Sequence, residues 1–154
     1  MRYPRPPAGG FSQVAEATRR SMASNRSKGT RPEIALRKAI WAAGLRGYRA
    51  NLRSLPGTPD VVFTRRRVAV FVNGCFWHAC PHCGRFRYPK QNADYWRQKI
   101  EANQARDVET REVLEGVGYR VLVLWECEVK KDVAACVDRV RSALAAPPED
   151  GSSP

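Results

Sequence analysis

Val68-Ala-Val-Phe-Val72 runs without a break into Asn73-Gly-Cys-Phe-Trp-His-Ala-Cys-Pro-His-Cys83. The first five residues are continuously apolar, the pattern of a strand buried on both faces rather than one with a wet side. A strand of that kind lies inside a sheet covered by helices, which points to an α/β architecture. The eleven residues that follow hold three of the five cysteines, both histidines and two adjacent aromatics. Soft-ligand and acid/base chemistry is thus concentrated at the end of a buried strand.

Working outward, Asp60 to Thr64 reads as the preceding strand, delivered by the turn Leu55-Pro-Gly-Thr-Pro59 and joined to Val68 by a basic turn, Arg65-Arg-Arg67. Gly47 to Leu55 reads as an edge strand or extended segment. Tyr119 to Trp125 is a second apolar strand, with Glu126-Cys127 at its end. Between the two buried strands, Asn92 is expected to cap a long helix to about Glu115, with Asp94 in its first turn and an Arg97–Glu101 pair. Gly116 and Gly118 stop it. Upstream, Thr30-Arg-Pro-Glu33 has the form of a capping box opening a helix with Leu36, Ile40 and Ala43 as its stripe. Downstream, Asp132 caps a last helix whose Val133, Val137, Val140 and Leu144 face the core. A hairpin followed by a helical crossover to another buried strand gives a mixed sheet between helices.

The 154 residues suffice for one domain with a real core. Residues 1–27, rich in Pro, Gly, Ser and Arg, are expected to form a flexible basic arm; 28–145 form the folded domain and 146–154 a disordered tail. Twenty-seven Lys and Arg against fifteen Asp and Glu leave a net charge of +12, which calls for a polyanion partner. No apolar run approaches the roughly 18 residues of a membrane span, so nucleic acid is the better reading than a membrane. The opening residues lack the apolar stretch of a signal peptide. Together these features place the chain in a prokaryotic cytoplasm, associated with the nucleoid.

Cys75, Cys80 and Cys83 are followed, after forty-three intervening residues, by Cys127. A Cys-x-x-Cys turn supplies two ligands of a zinc tetrahedron, and two parallel strand ends would bring Cys75 and Cys127 together. A structural Zn2+ on these four is favoured over free or redox-active thiols. His82 is an alternative to Cys80 or Cys83. Cys136, on the apolar side of the last helix, reads as a core residue.

His78 is not needed for that tetrahedron. It is either a structural histidine or a general acid or base. Asp60, at the mouth of a buried strand, either completes its turn or binds a cation such as Mg2+. Phe76 and Trp77 either pack in the core or project as wedges that unstack bases. Trp41 and Trp125 are assigned to the core, while Tyr95 and Trp96 are ambiguous on pattern.

Three segments, Leu55-Pro-Gly-Thr-Pro-Asp60, Phe71-Val-Asn-Gly-Cys-Phe-Trp-His78 and Arg120-Val-Leu-Val-Leu-Trp-Glu-Cys127, resemble the very short patch repair (Vsr) DNA mismatch endonucleases. The likeness spans about Met22 to Val129. It implies a restriction-endonuclease-like fold and Mg2+-dependent nicking of one strand of double-stranded DNA at T·G mismatches left by 5-methylcytosine deamination. The resemblance makes Asp60 the Mg2+ carboxylate, aided by the backbone carbonyl of Val72, makes His78 the catalytic histidine, and places Glu33 close by. It makes Phe76 and Trp77 the aromatics wedged beside the mismatch, with Trp96 and Met22 as further DNA-contacting residues. Asn73 occupies a position where a relative carries histidine. Two departures stand out: the Glu-x-Lys of many related nucleases is missing between Ala69 and Asn73, and the cluster uses Cys80 and Cys83 where relatives show His at one or both positions. The expected state is a monomer, with mismatch-repair proteins as further partners. The competing readings are a non-catalytic zinc module that binds distorted DNA and a related nuclease with another lesion specificity.

Overall fold

Strands β1 (Arg49–Ala50), β2 (Val61–Phe63), β3 (Val68–Asn73) and β4 (Arg120–Trp125) lie side by side in that order in a computed structural model, which describes residues 28–147. The expected arm, 1–27, and most of the expected tail lie outside the described residues, and so does Met22. β1–β2 and β2–β3 are antiparallel. β3 and β4 are parallel along their whole length, from Val68 opposite Arg120 to Asn73 opposite Trp125. Among the described residues, four helices complete the fold: α1 (Arg31–Ala42), α2 (Ala93–Gly116), α3 (Glu126–Lys131) and α4 (Val133–Ala145). None of the described helices is long and apolar enough to cross a membrane.

The unbroken apolar run of β3 is explained by its two neighbours. Val68 and Val70 join Leu36 and Ile40 of α1 and Val137 and Val140 of α4 in one core. Ala69 packs on the opposite face with Leu114 of α2 and Val121 of β4, against Phe71 and Leu55. Burying a Val or Leu side chain contributes roughly 1.5–3 kcal/mol, and β3 draws on this from both sides. The strand is therefore a rigid post, and whatever follows Asn73 starts from a fixed point.

Several local expectations are corrected. Trp41 is 56% exposed, with the Arg46 guanidinium 3.6 Å from its ring centre, and is not a core residue. It sits one position after the buried Ile40, about 100° round the helix and off the buried stripe. Ala43, expected in the same stripe, is also exposed. Asn92 adopts the left-handed conformation (φ +58°) and its side chain does not cap α2; its backbone carbonyl accepts the Trp96 N–H instead. Arg97 lies 5.4 Å from the Tyr88 ring centre rather than pairing with Glu101. Glu126-Cys127 opens the short helix α3, whose Glu128 carboxylate accepts the Trp125 N–H at 2.9 Å.

Candidate functional site

Parallel pairing of Asn73 with Trp125 leaves Cys75 and Cys127 each two residues beyond a shared rung of the sheet. The loop after β3 then doubles back: Cys80 N–H donates to the Cys75 carbonyl at 2.9 Å, and His78 N–H to the Gly74 carbonyl at 3.3 Å. The result brings the sulfurs of Cys75, Cys80, Cys83 and Cys127 within 4.8 Å of one another. Burial pushes the Cys75 and Cys127 thiols up, whereas the Arg85 backbone N–H draws Cys83 down. Four crowded thiols resist joint ionisation unless a cation offsets their charge, and soft sulfur donors in fours suit a tetrahedral metal. The cluster can hold a metal. His82 lies outside it, edge-on to Trp125 at 6.1 Å, with its backbone N–H 3.4 Å from the Cys80 sulfur.

On the other side of the same loop lies an open cleft of about 1830 Å3, reached by Glu33, Asp60, Val72, Trp77 and His78. Asp60 stands one residue before β2. Its own N–H donates to the Val70 carbonyl at 2.9 Å, and its carboxylate accepts the Val72 N–H at 2.7 Å. In an antiparallel ladder the N–H and C=O of one residue face the same neighbour, so the Val72 carbonyl is turned to this side as well. Burial, and then the nearby Glu33, raise the Asp60 carboxyl to about 7, against the opposing pull of the Val72 N–H, Arg37 and His78. Glu33 is only 4% exposed; it accepts the Gly29 N–H at 2.7 Å and lies 3.7 Å from the Arg37 guanidinium. Its backbone N–H also donates to the Thr30 hydroxyl at 3.4 Å, so the predicted box forms with Gly29 in place of Thr30 as the second donor. Lys28, Arg31, Lys99, Arg106 and Arg111 line the cleft and face this acidic centre with positive charge.

One turn of α2 grips this loop. Asn103, itself buried, donates to the Trp77 carbonyl at 2.9 Å, and Gln104 to the His78 carbonyl at 3.4 Å. Asp107 meets His78 Nδ1 at 2.5 Å. With Nδ1 engaged, Nε2 is the ring nitrogen left for the cleft, and the carboxylate sets both tautomer and ring orientation. Sequence reasoning missed Asp107. The spacing 103, 104 and 107 on one helix was the available signal, but α2 is charged on most of its surface, and nothing marks one aspartate among its acids.

Phe76 and Trp77 lie edge to face at 5.2 Å, each half-buried. Trp96 sits beneath both, 5.4 Å from Phe76 and 5.9 Å from Trp77, and is only 5% exposed. It braces the pair from below, where the resemblance implied a further residue reaching DNA. A Cβ at Gly74 would come within 3.3 Å of the Trp77 ring, so the missing side chain lets that ring lie against the loop backbone. Asn73 also lines the cleft, while Cys136 is buried in the core as expected.

The sequence profile described as "DNA mismatch endonuclease Vsr" matches residues 13–85. Among curated proteins, the chain is 46% identical over 129 residues to the type II nicking enzyme V.XorIIP of Xanthomonas oryzae pv. oryzae, covering 84% of this chain and 93% of that one. It is 45% identical over 129 residues to the type II nicking enzyme V.NmeDIP of Neisseria meningitidis serogroup C (84% and 86% covered). With the DNA mismatch endonuclease Vsr of Escherichia coli K12 it shares 36% over 116 residues, 75% of this chain and 73% of that protein.

Proposed function

Since this chain belongs to the DNA mismatch endonuclease Vsr family and is a DNA endonuclease, we propose that it nicks one strand of duplex DNA at T·G mismatches arising from 5-methylcytosine deamination, by Mg2+-dependent phosphodiester hydrolysis. The observation that carries this reading is the convergence of the Asp60 carboxyl and the Asp107-braced His78 on one basic-lined cleft. Asp60 and the Val72 carbonyl would hold Mg2+, with Glu33 beside them. The donors are oxygens, as Mg2+ prefers, and Asp60's raised proton affinity reflects a buried negative charge that a cation would relieve. When bound, Mg2+ polarises the phosphodiester and makes water a better nucleophile.

The protein's own groups do the rest. His78 presents Nε2 as the proton acceptor for the attacking water, or as the donor to the scissile phosphate, while Asp107 accepts the Nδ1 hydrogen and steadies the ring. Water adds to phosphorus, one P–O bond of the strand breaks, and the leaving oxygen takes up a proton. Phe76 and Trp77, stiffened by Trp96 below, act as the wedge that opens the base stack beside the lesion. The four cysteines would hold a structural Zn2+, which would fix the loop carrying both His78 and the wedge.

The test is nicking of a T·G duplex in Mg2+ by the wild type, Asp60→Ala and His78→Ala. Loss of a proton-transfer group costs 10²–10⁴-fold in typical enzymes, so His78→Ala should fall that far, and Asp60→Ala, which removes the cation's carboxylate, at least as far. Unchanged nicking in both would sink the assignment. The similarity to type II nicking enzymes favours a second reading, a nuclease of this scaffold with another lesion or site preference. A panel of duplexes carrying each mismatch in varied flanks separates the two.

A further inference from the structure

Beside Asp60 stands Asn51, a residue with no part in the reading so far. β1 ends with Ala50 opposite Val61, and the Asn51 N–H extends the ladder by donating to the Asp60 carbonyl at 3.2 Å. Residues directly opposite in an antiparallel pair carry their side chains on one face, with Cβ atoms about 5 Å apart. The Asn51 amide is therefore a neighbour of the Asp60 carboxyl, and both line the cleft.

Two features of Asn51 call for an explanation. It holds φ +49°, a left-handed conformation that asparagine adopts more readily than other non-glycine residues. Its Oδ1 is enclosed and has no hydrogen-bond partner among the described residues. A buried acceptor left without a donor costs about 1–3 kcal/mol, so the enclosed amide oxygen calls for a partner. Asp60 has Glu33 close enough to couple to it electrostatically and accepts the Val72 N–H; these residues and Asn51 line one cleft, and their carboxylates and carbonyls are oxygen donors to a cation. The nearby Arg37 guanidinium lies 3.7 Å from the Glu33 carboxylate. A neutral amide oxygen would raise the coordination number of a hard cation without adding a third negative charge.

Resting on the reading of Asp60 as a cation ligand, we propose that Asn51 belongs to the same site, its Oδ1 supplying a neutral oxygen to the coordination sphere of the divalent cation.

The experiment uses the full chain without DNA and Mn2+ as probe, with the electron paramagnetic resonance of free Mn2+ as readout. Three variants are compared with wild type: Asp60→Ala, Asn51→Gly, which keeps the left-handed backbone accessible, and Asn51→Asp, which keeps an oxygen. Binding should vanish in Asp60→Ala, weaken about tenfold in Asn51→Gly, and be retained or tightened in Asn51→Asp. Wild-type affinity in a folded Asn51→Gly, or a weakened Asn51→Asp, overturns the proposal while leaving Asp60 in place. Undiminished binding in Asp60→Ala would remove the Asp60 reading itself, and Asn51 with it.

Discussion

The four-cysteine cluster and the Asp60–His78 cleft both grow from the carboxyl ends of β3 and β4, on opposite sides of one loop, yet their donors differ in kind and in origin. The cluster draws its sulfurs from the loop itself and from the matching end of the next strand, all within 4.8 Å. The cleft gathers its groups from four separate elements: Glu33 from α1, Asp60 from the mouth of β2, His78 from the loop and Asp107 from α2. One is compact and soft, the other open and lined by oxygens and cations. The difference teaches a division of labour in which the sulfur side immobilises the loop so that the oxygen side can use it.

The most severe way to break this comparison is to dismantle the sulfur side. Cys127→Ala should release zinc and, because structural zinc contributes on the order of 10 kcal/mol to the folding of small domains, abolish the cooperative thermal transition. Elemental analysis beside a melting curve checks it; stoichiometric zinc retained in the variant would remove Cys127 from the ligand set.

A milder cut separates the cleft from its support. Asp107→Asn keeps the shape but replaces the acceptor facing His78 Nδ1, so nicking should fall about 10–100-fold while duplex binding stays near wild type. Equal loss of binding and nicking would mean that Asp107 serves the loop as a whole rather than the histidine.

The smallest effect concerns pH. Asp60 must shed its proton to hold a cation, and its carboxyl is raised to about 7. Cation affinity should therefore drop by about tenfold per pH unit below that value and level off above it. Stability without cation runs the other way. A carboxyl raised from 3.8 to about 7 keeps its proton longer in the folded chain than in the unfolded one. Its contribution is full below about pH 4 and is lost as pH rises through 7. Melting curves with and without Mg2+ at pH 5.5 and 8 measure both; a Mg2+-induced gain equal at the two values, or one that survives Asp60→Asn, contradicts the account.

Much of the sulfur side was legible in the chain because its geometry is nearly one-dimensional. Two apolar runs long enough to be buried strands, each followed within three residues by a cysteine, meet as soon as the strands pair in parallel. Trp41, by contrast, was assigned to the core on residue type, and the helix turns it outward because the buried stripe belongs to Leu36 and Ile40. Trp96 was left ambiguous by pattern, and tertiary packing puts it beneath the aromatic pair. Asp107 and Asn51 could not be singled out, since a single polar residue on a charged helix or just after a short edge strand looks like surface until its neighbour is known.

Sequence by itself determined the alternation of strands and helices, the burial of β3 on both faces, the spacing of the four cysteines and the basic balance. These depend on contacts between near neighbours or on composition. Only the tertiary structure decided which groups share the cleft: Asp107 against His78, Glu33 and Asn51 beside Asp60, and His82 outside the sulfurs. The physical reason is that hydrogen bonds and charge coupling act within a few ångströms, and no periodicity along the chain encodes which remote residues the packing of α1, α2 and the sheet brings within that reach.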